Sequence, residues 1–218
     1  RALHDLMPDE DEVRGLLALL LAIDARRPTR TRADGQVLPL AEQDRSLWDQ
    51  SAISEAHELI VHSLRNGRPG RYVFQAAIAS LHAEAPTYEQ TDWAQILFLY
   101  DALLSAWPSP VVALNRAVAL SMVAGPGEAL AEVEQLESDR RLVGYQYLPA
   151  VKADLLGKLG RPEEAAKASR RALELAGNQA ERQFLAARLR EPGLRSDPRA
   201  DDHPDHPHHA DCSPSQTA

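Results

Sequence analysis

Apolar residues along the chain recur at spacings of three and four, broken by short Pro- and Gly-containing stretches, which is the pattern of packed helices. Val13, Leu16, Leu17, Leu19, Leu20, Leu21 and Ile23 form the first strong cluster. Pro8 and the acids at 9–12 open this helix, Pro being tolerated in a first turn and carboxylates favoured there, and Arg26, Arg27 and Pro28 end it. Its apolar positions cover most of the circumference, so the helix is expected to be buried between neighbours. A polar loop over 29–41 follows, with a turn signal at Asp34-Gly35, and Pro39 argues against a strand at Val37–Leu40. The pattern then predicts a long helix from about 42 to 64, closed by Asn66–Gly70, and another over about 72–84 that stops before Pro86.

The second half is more regular. Helices are predicted over 89–106, 110–124, 126–138, 145–159, 162–176 and 179–190. The breaks between them, such as Pro108-Ser109-Pro110, Gly125-Pro126-Gly127 and Gly160-Arg161-Pro162, are short enough to make successive helices antiparallel neighbours. Two units are in phase. Pro126 and Pro162 each open a second helix 36 residues apart, and the same offset relates Ala117 to Ala153, Leu120 to Leu156, Glu128 to Glu164 and Ala129 to Ala165. Tetratricopeptide repeats have a period of ~34 residues, with small side chains where paired helices cross. Val133 and Ser169 stand where such a repeat usually carries a large aromatic, so these units are degenerate. The expected fold is all-α: a right-handed superhelical stack of antiparallel, tetratricopeptide-like helix pairs over 89–195. A packed helical cap over 1–88 precedes it, and a disordered tail over 196–218, rich in Pro, Asp, His and Ser, follows.

Composition narrows the function classes. Aromatics are only 5% of the residues, and the Ala- and Leu-rich remainder favours helices. The formal net charge is −8, of which the tail supplies −4 through five Asp and one Arg. A mildly acidic body lacks the basic face of a DNA-binding domain, so direct DNA binding by this chain is not expected. Cys212 is the single cysteine, which excludes an intrachain disulfide and fits a cytoplasmic protein. The longest apolar run, Leu16 to Ile23, is too short to cross a bilayer. An opening at Arg1 without Met suggests a fragment of a longer protein.

No motif carries catalytic chemistry. His57-Glu58-Leu59-Ile60-Val61-His62 imitates the zinc-protease helix, but its histidines are five apart, ~140° around a helix, and diverge from any shared ion. His82-Ala83-Glu84 begins like a deaminase signature without the cysteine pair, and His82 is expected to cap carbonyls or join a buried hydrogen bond. The histidines at 203, 206, 208 and 209 lie in a tail that offers no fixed ligand geometry. No metal site, cofactor or enzyme activity is expected. Arg26-Arg27 and the stretch Glu42–Asp49 are harder to assign. Asp44 and Trp48 are expected on one helix face, either anchoring a loop with Trp48 as a packing lid or lining a pocket. Trp93, Ile96 and Tyr100 share a face and are expected in the core.

Five stretches carry a resemblance: Ala25-Arg26-Arg27-Pro28, Gln43 to Asp49, Gln75 to Ala85, Thr91 to Ile96 and Ser109 to Ala119. In this order, over roughly Leu6 to Leu189, the chain resembles the C-terminal, tetratricopeptide-like extension of extracytoplasmic-function-type bacterial RNA polymerase sigma factors. The resemblance implies a non-catalytic regulatory domain that modulates transcription initiation through contacts with the sigma-factor core domains or RNA polymerase. The matched residues expected to make contacts are Arg26, Arg27, Asp44, Arg45, Trp48, Gln75, His82, Glu84, Asn115 and Arg116. The alternative is a small-molecule sensor in which Arg26, Arg45, Trp48 and His82 converge on a pocket between cap and repeats.

Overall fold

The computed structural model describes residues 1–32, 37–65, 69–177, 182, 185 and 186, and among these the regular structure is helical. The α-helices are α1 (Ala2–Leu6), α2 (Asp11–Asp24), α3 (Gln50–Arg65), α4 (Arg71–Glu84), α5 (Trp93–Ala106), α6 (Pro110–Val123), α7 (Pro126–Leu136), α8 (Tyr147–Lys158) and α9 (Pro162–Leu175). Short 3₁₀ turns at Arg27–Thr29, Leu40–Glu42, Arg45–Leu47 and Arg140–Leu142 shape the connections. An isolated bridge between Thr31 and Val37 is the one extended pairing among the described residues. No helix is long and apolar enough to cross a membrane among the described residues. The helix expected over 179–190 lies largely outside the described residues, as does the whole tail from 196; Leu185 is buried against Ala150, Ala172 and Ala176.

Two apolar cores run through the fold. The first joins α2 to α6 through Ala18, Ala22, Ala56, Ile60, Ala76, Ile96, Leu103 and Val112. The second joins α6 to α9 through Leu114, Ala117, Ala129, Val133, Leu155, Leu156 and Ala168. α6 serves both, turning Val112 and Ala119 to one and Leu114 and Ala117 to the other. The division expected at residue 88 therefore falls within the reach of a continuous first core. α2 packs on both α3 and α4, whereas from α4 onward packing is mainly between successive helices.

Local chemistry explains where helices begin and end. The helix expected from residue 42 starts at Gln50. Asp44 bends the preceding stretch by accepting hydrogen bonds from Ser46 N–H and Ser46 Oγ, and Asp49 accepts one from Ala52 N–H at the start of α3. Such short polar side chains compete with helical backbone bonds and favour turns and caps. Asp44 and Trp48 consequently flank a 3₁₀ turn and do not share an α-helical face. α5 starts later than expected for the same reason, Asp92 accepting a 2.8 Å bond from Gln95 N–H. At the end of α8, Gly160 takes φ 69°, a left-handed conformation, and Arg161 N–H reaches back to Leu156 O at 2.9 Å.

As expected, α2 is buried or half-buried around most of its circumference, with Leu20, 56% exposed, and Asp24 on its open face. Its tightest face is made of small residues, Gly15, Ala18 and Ala22. A Cβ on Gly15 would stand 2.6 Å from the backbone nitrogen of Val73, so α4 approaches α2 where no side chain intervenes. The packing thus uses a position that costs helix propensity to gain backbone proximity.

Candidate functional site

Arg26, Arg30 and residues 37–43, with α5, α6 and α8, surround a cleft of about 580 Å³. Its chemistry is uneven. Arg26, Arg30, Gln43 and His82 line it, with Trp93 and several tyrosines, and with Asp154 and Lys158 from α8. Lys158 is paired with Asp154 at 3.0 Å, so these two charges neutralise each other.

The arginines are not neutralised in this way. Among the described residues no carboxylate pairs with Arg26 or Arg30. Burial lowers the Arg26 pKa from its ordinary value, and repulsion from Arg30 and Arg45 lowers it further. Four polar atoms of cleft-lining residues are buried without a hydrogen-bond partner: Arg26 Nε, Gln43 Oε1, His82 Nδ1 and Trp93 Nε1. Buried polar groups are nearly always paired, so these atoms are available to bond a ligand or water in the cleft. His82 packs edge-on against Trp93 at 5.2 Å, and burial, then Arg26 and Arg45, push its pKa down to about 4. Neither carbonyl capping nor a buried hydrogen bond, the roles expected for this side chain, occupies its Nδ1. Tyr100 is also in the wall, its hydroxyl pKa raised to about 12 by burial.

The floor beside the cleft is locked. Trp48 is 3% exposed and donates its indole N–H to Thr29 Oγ1 at 2.8 Å. Arg45 stacks over that ring at 4.7 Å and donates from Nη1 to the carbonyls of His82 and Ala85, both at 2.7 Å. Those carbonyls end α4, where a cation is favoured. Arg45 and Trp48 therefore fix the segment 44–48 to α4, and Trp48 is the packing lid of the two roles considered for it.

The remaining residues singled out from the sequence are dispersed. Arg27 is exposed and 3.5 Å from Asp24. Glu84 accepts from Ser80 Oγ and meets His57 Nδ1 at 2.9 Å, on the outside of α3 and α4. Gln75 is half-buried on α4. Arg116 bridges Asp101 on α5 at 2.5 Å and Glu132 on α7 at 2.6 Å, which raises its pKa. Asn115 is exposed at the cleft wall. Sequence reasoning missed Arg30, Tyr88, Tyr145 and Tyr147, and assigned Trp93 to the core alone. His57 and His62 are exposed, and no group of three His, Cys, Asp or Glu side chains is placed to hold a metal ion among the described residues.

Residues 1–64 match a family described as of unknown function, DUF6596. That match covers α1, α2 and nearly all of α3, and so includes Arg26, Arg45 and Trp48 but not His82 or Trp93. An uncharacterized protein of Rhizobium meliloti is 48% identical over 189 residues, covering 87% of this chain and 44% of the relative. The chain thus spans less than half the length of that relative. No solved structure matches.

Proposed function

We propose that this chain is the non-catalytic regulatory extension of an extracytoplasmic-function-type sigma factor, acting on transcription initiation through contacts with the sigma domains or RNA polymerase. One observation carries the reading. The five sequence stretches that bear the resemblance all contribute to one cleft: Arg26 from the first, Gln43 from the second, His82 from the third, Trp93 from the fourth and Asn115 from the fifth. Stretches far apart in sequence that meet at a single surface point to recognition there.

The tetratricopeptide-like, right-handed stack belongs to the same proposal. It is supported by Pro126 and Pro162 opening α7 and α9, and by Ala117, Ala129 and Ala153 being buried at positions that carry the repeat offset. Pairs stacked in this way present extended concave surfaces for partners. Run-off transcription with RNA polymerase and the sigma domains, with and without this chain attached, tests the regulatory role. A change in transcript yield is expected, and equal yield counts against it.

The cleft also favours a second reading, a helical domain that senses a small molecule. Its volume suits a small ligand, and its polar atoms converge where Arg26 and His82 were expected to meet. Of the other two residues in that expectation, Arg45 and Trp48 support the cleft from behind. Saturable binding of any small molecule, with a shift in midpoint of thermal unfolding, is the test.

A further inference from the structure

We propose that the cleft binds a small aromatic carboxylate, its anionic group held by Arg26 with the indole N–H of Trp93, and its planar body against the tyrosine wall. The inference rests on the reading of the cleft as a ligand site and specifies what that ligand is.

The charge argument comes first. Arg26 is half-buried, lies near two other arginines, and has no carboxylate partner among the described residues. Its guanidinium lies 5.9 Å from the Trp48 ring centroid, but no anion among the described residues compensates its charge. Its neighbour Arg27, by contrast, is exposed and close to Asp24. The donor argument is separate. Arg26 Nε and Trp93 Nε1 are N–H donors and are buried without acceptors; Arg45 Nη2, behind the cleft, is a third. Arginine's planar fork matches a carboxylate in two parallel hydrogen bonds.

The shape of the wall supplies the rest of the ligand. Trp93, Tyr88, Tyr100, Tyr145 and Tyr147 line the cleft, and Tyr145 and Tyr147 stand 5.4 Å apart. Aromatic walls favour planar guests by offset or edge contacts. Lys158, which also lines the cleft, is already neutralised by Asp154 and offers no second anion site. The ligand is therefore charged at one end only.

The test uses the full chain, isothermal titration and three probes: 2-naphthoate, the uncharged 2-naphthalenemethanol, and acetate. Naphthoate is expected to bind at one site, with the alcohol and acetate each tenfold weaker or more. Arg26→Met should reduce naphthoate affinity tenfold or more, while Arg27→Met, with the same change in net charge, should leave it unaltered. Trp93→Phe keeps a ring and removes the N–H; it should weaken naphthoate severalfold and leave the alcohol unaffected. In the wild type, naphthoate should shift the Trp93 indole N–H resonance. Alcohol bound as tightly as acid overturns the anion assignment while leaving the cleft a ligand site. Binding of no probe overturns both, and naphthoate affinity unchanged by Arg26→Met in a folded variant overturns the location.

Discussion

Replacing His82 with Phe should remove a specific part of the protein's acid sensitivity. In the folded chain His82 has its pKa pushed down from 6.5 to about 4 by burial and by the nearby Arg26 and Arg45. The unfolded chain binds a proton there as the pH falls through 6.5, whereas the folded chain resists until about 4. Stability from this group is therefore complete above pH 6.5 and is lost as the pH falls between those values. Linkage puts the loss at about 2 kcal/mol by pH 5, relative to pH 7.5. A loss of that size lowers the unfolding midpoint by about 4–8 °C for a domain of this length. His82→Phe preserves an aromatic ring against Trp93 and deletes both the titration and the unpartnered Nδ1. Urea unfolding of both proteins at pH 7.5 and pH 5.0 separates this effect from carboxylate titrations, which the two share. The variant should lose about 2 kcal/mol less than the wild type on acidification. Parallel losses in the two proteins would refute the placement of a neutral, buried histidine beside two arginines.

Other substitutions test the packing. Gly15→Val places a side chain against the backbone of Val73, and overpacking of that kind should destabilise by about 1–3 kcal/mol in urea unfolding. Trp48→Ala removes a buried ring and its bond to Thr29 Oγ1, with an expected loss of about 3–5 kcal/mol, and Arg45→Met should then cost less than it does alone because the two are stacked. Arg116→Glu sets like charges together at Asp101 and Glu132; discounted for their exposure, the loss should be about 1 kcal/mol, shrinking in high salt.

Helix existence was legible because apolar spacing and Pro/Gly breaks act locally, and those breaks placed α6 to α9 well. The start of α3 was not. Asp44 and Asp49 bond backbone N–H groups within three residues, and apolar periodicity carries no sign of such competition. Burial on α2 was legible in its apolar coverage, whereas the close approach at Gly15, Ala18 and Ala22 was not. Of the residues singled out, Arg26, His82 and Asn115 reach the cleft, while Arg116 is engaged in ion pairs and Glu84 in a hydrogen bond across helices. Nothing in linear order joins Tyr145 and Tyr147 to Arg26; the stacking of α8 beyond α6 does so.

Sedimentation of the purified chain with the sigma domains encoded in the same genome, each expressed separately, tests the regulatory account most directly. The account predicts a stoichiometric complex at micromolar concentration, weakened by substitution at the cleft rim, with Asn115→Arg as the first choice. Two species sedimenting independently at those concentrations would contradict it.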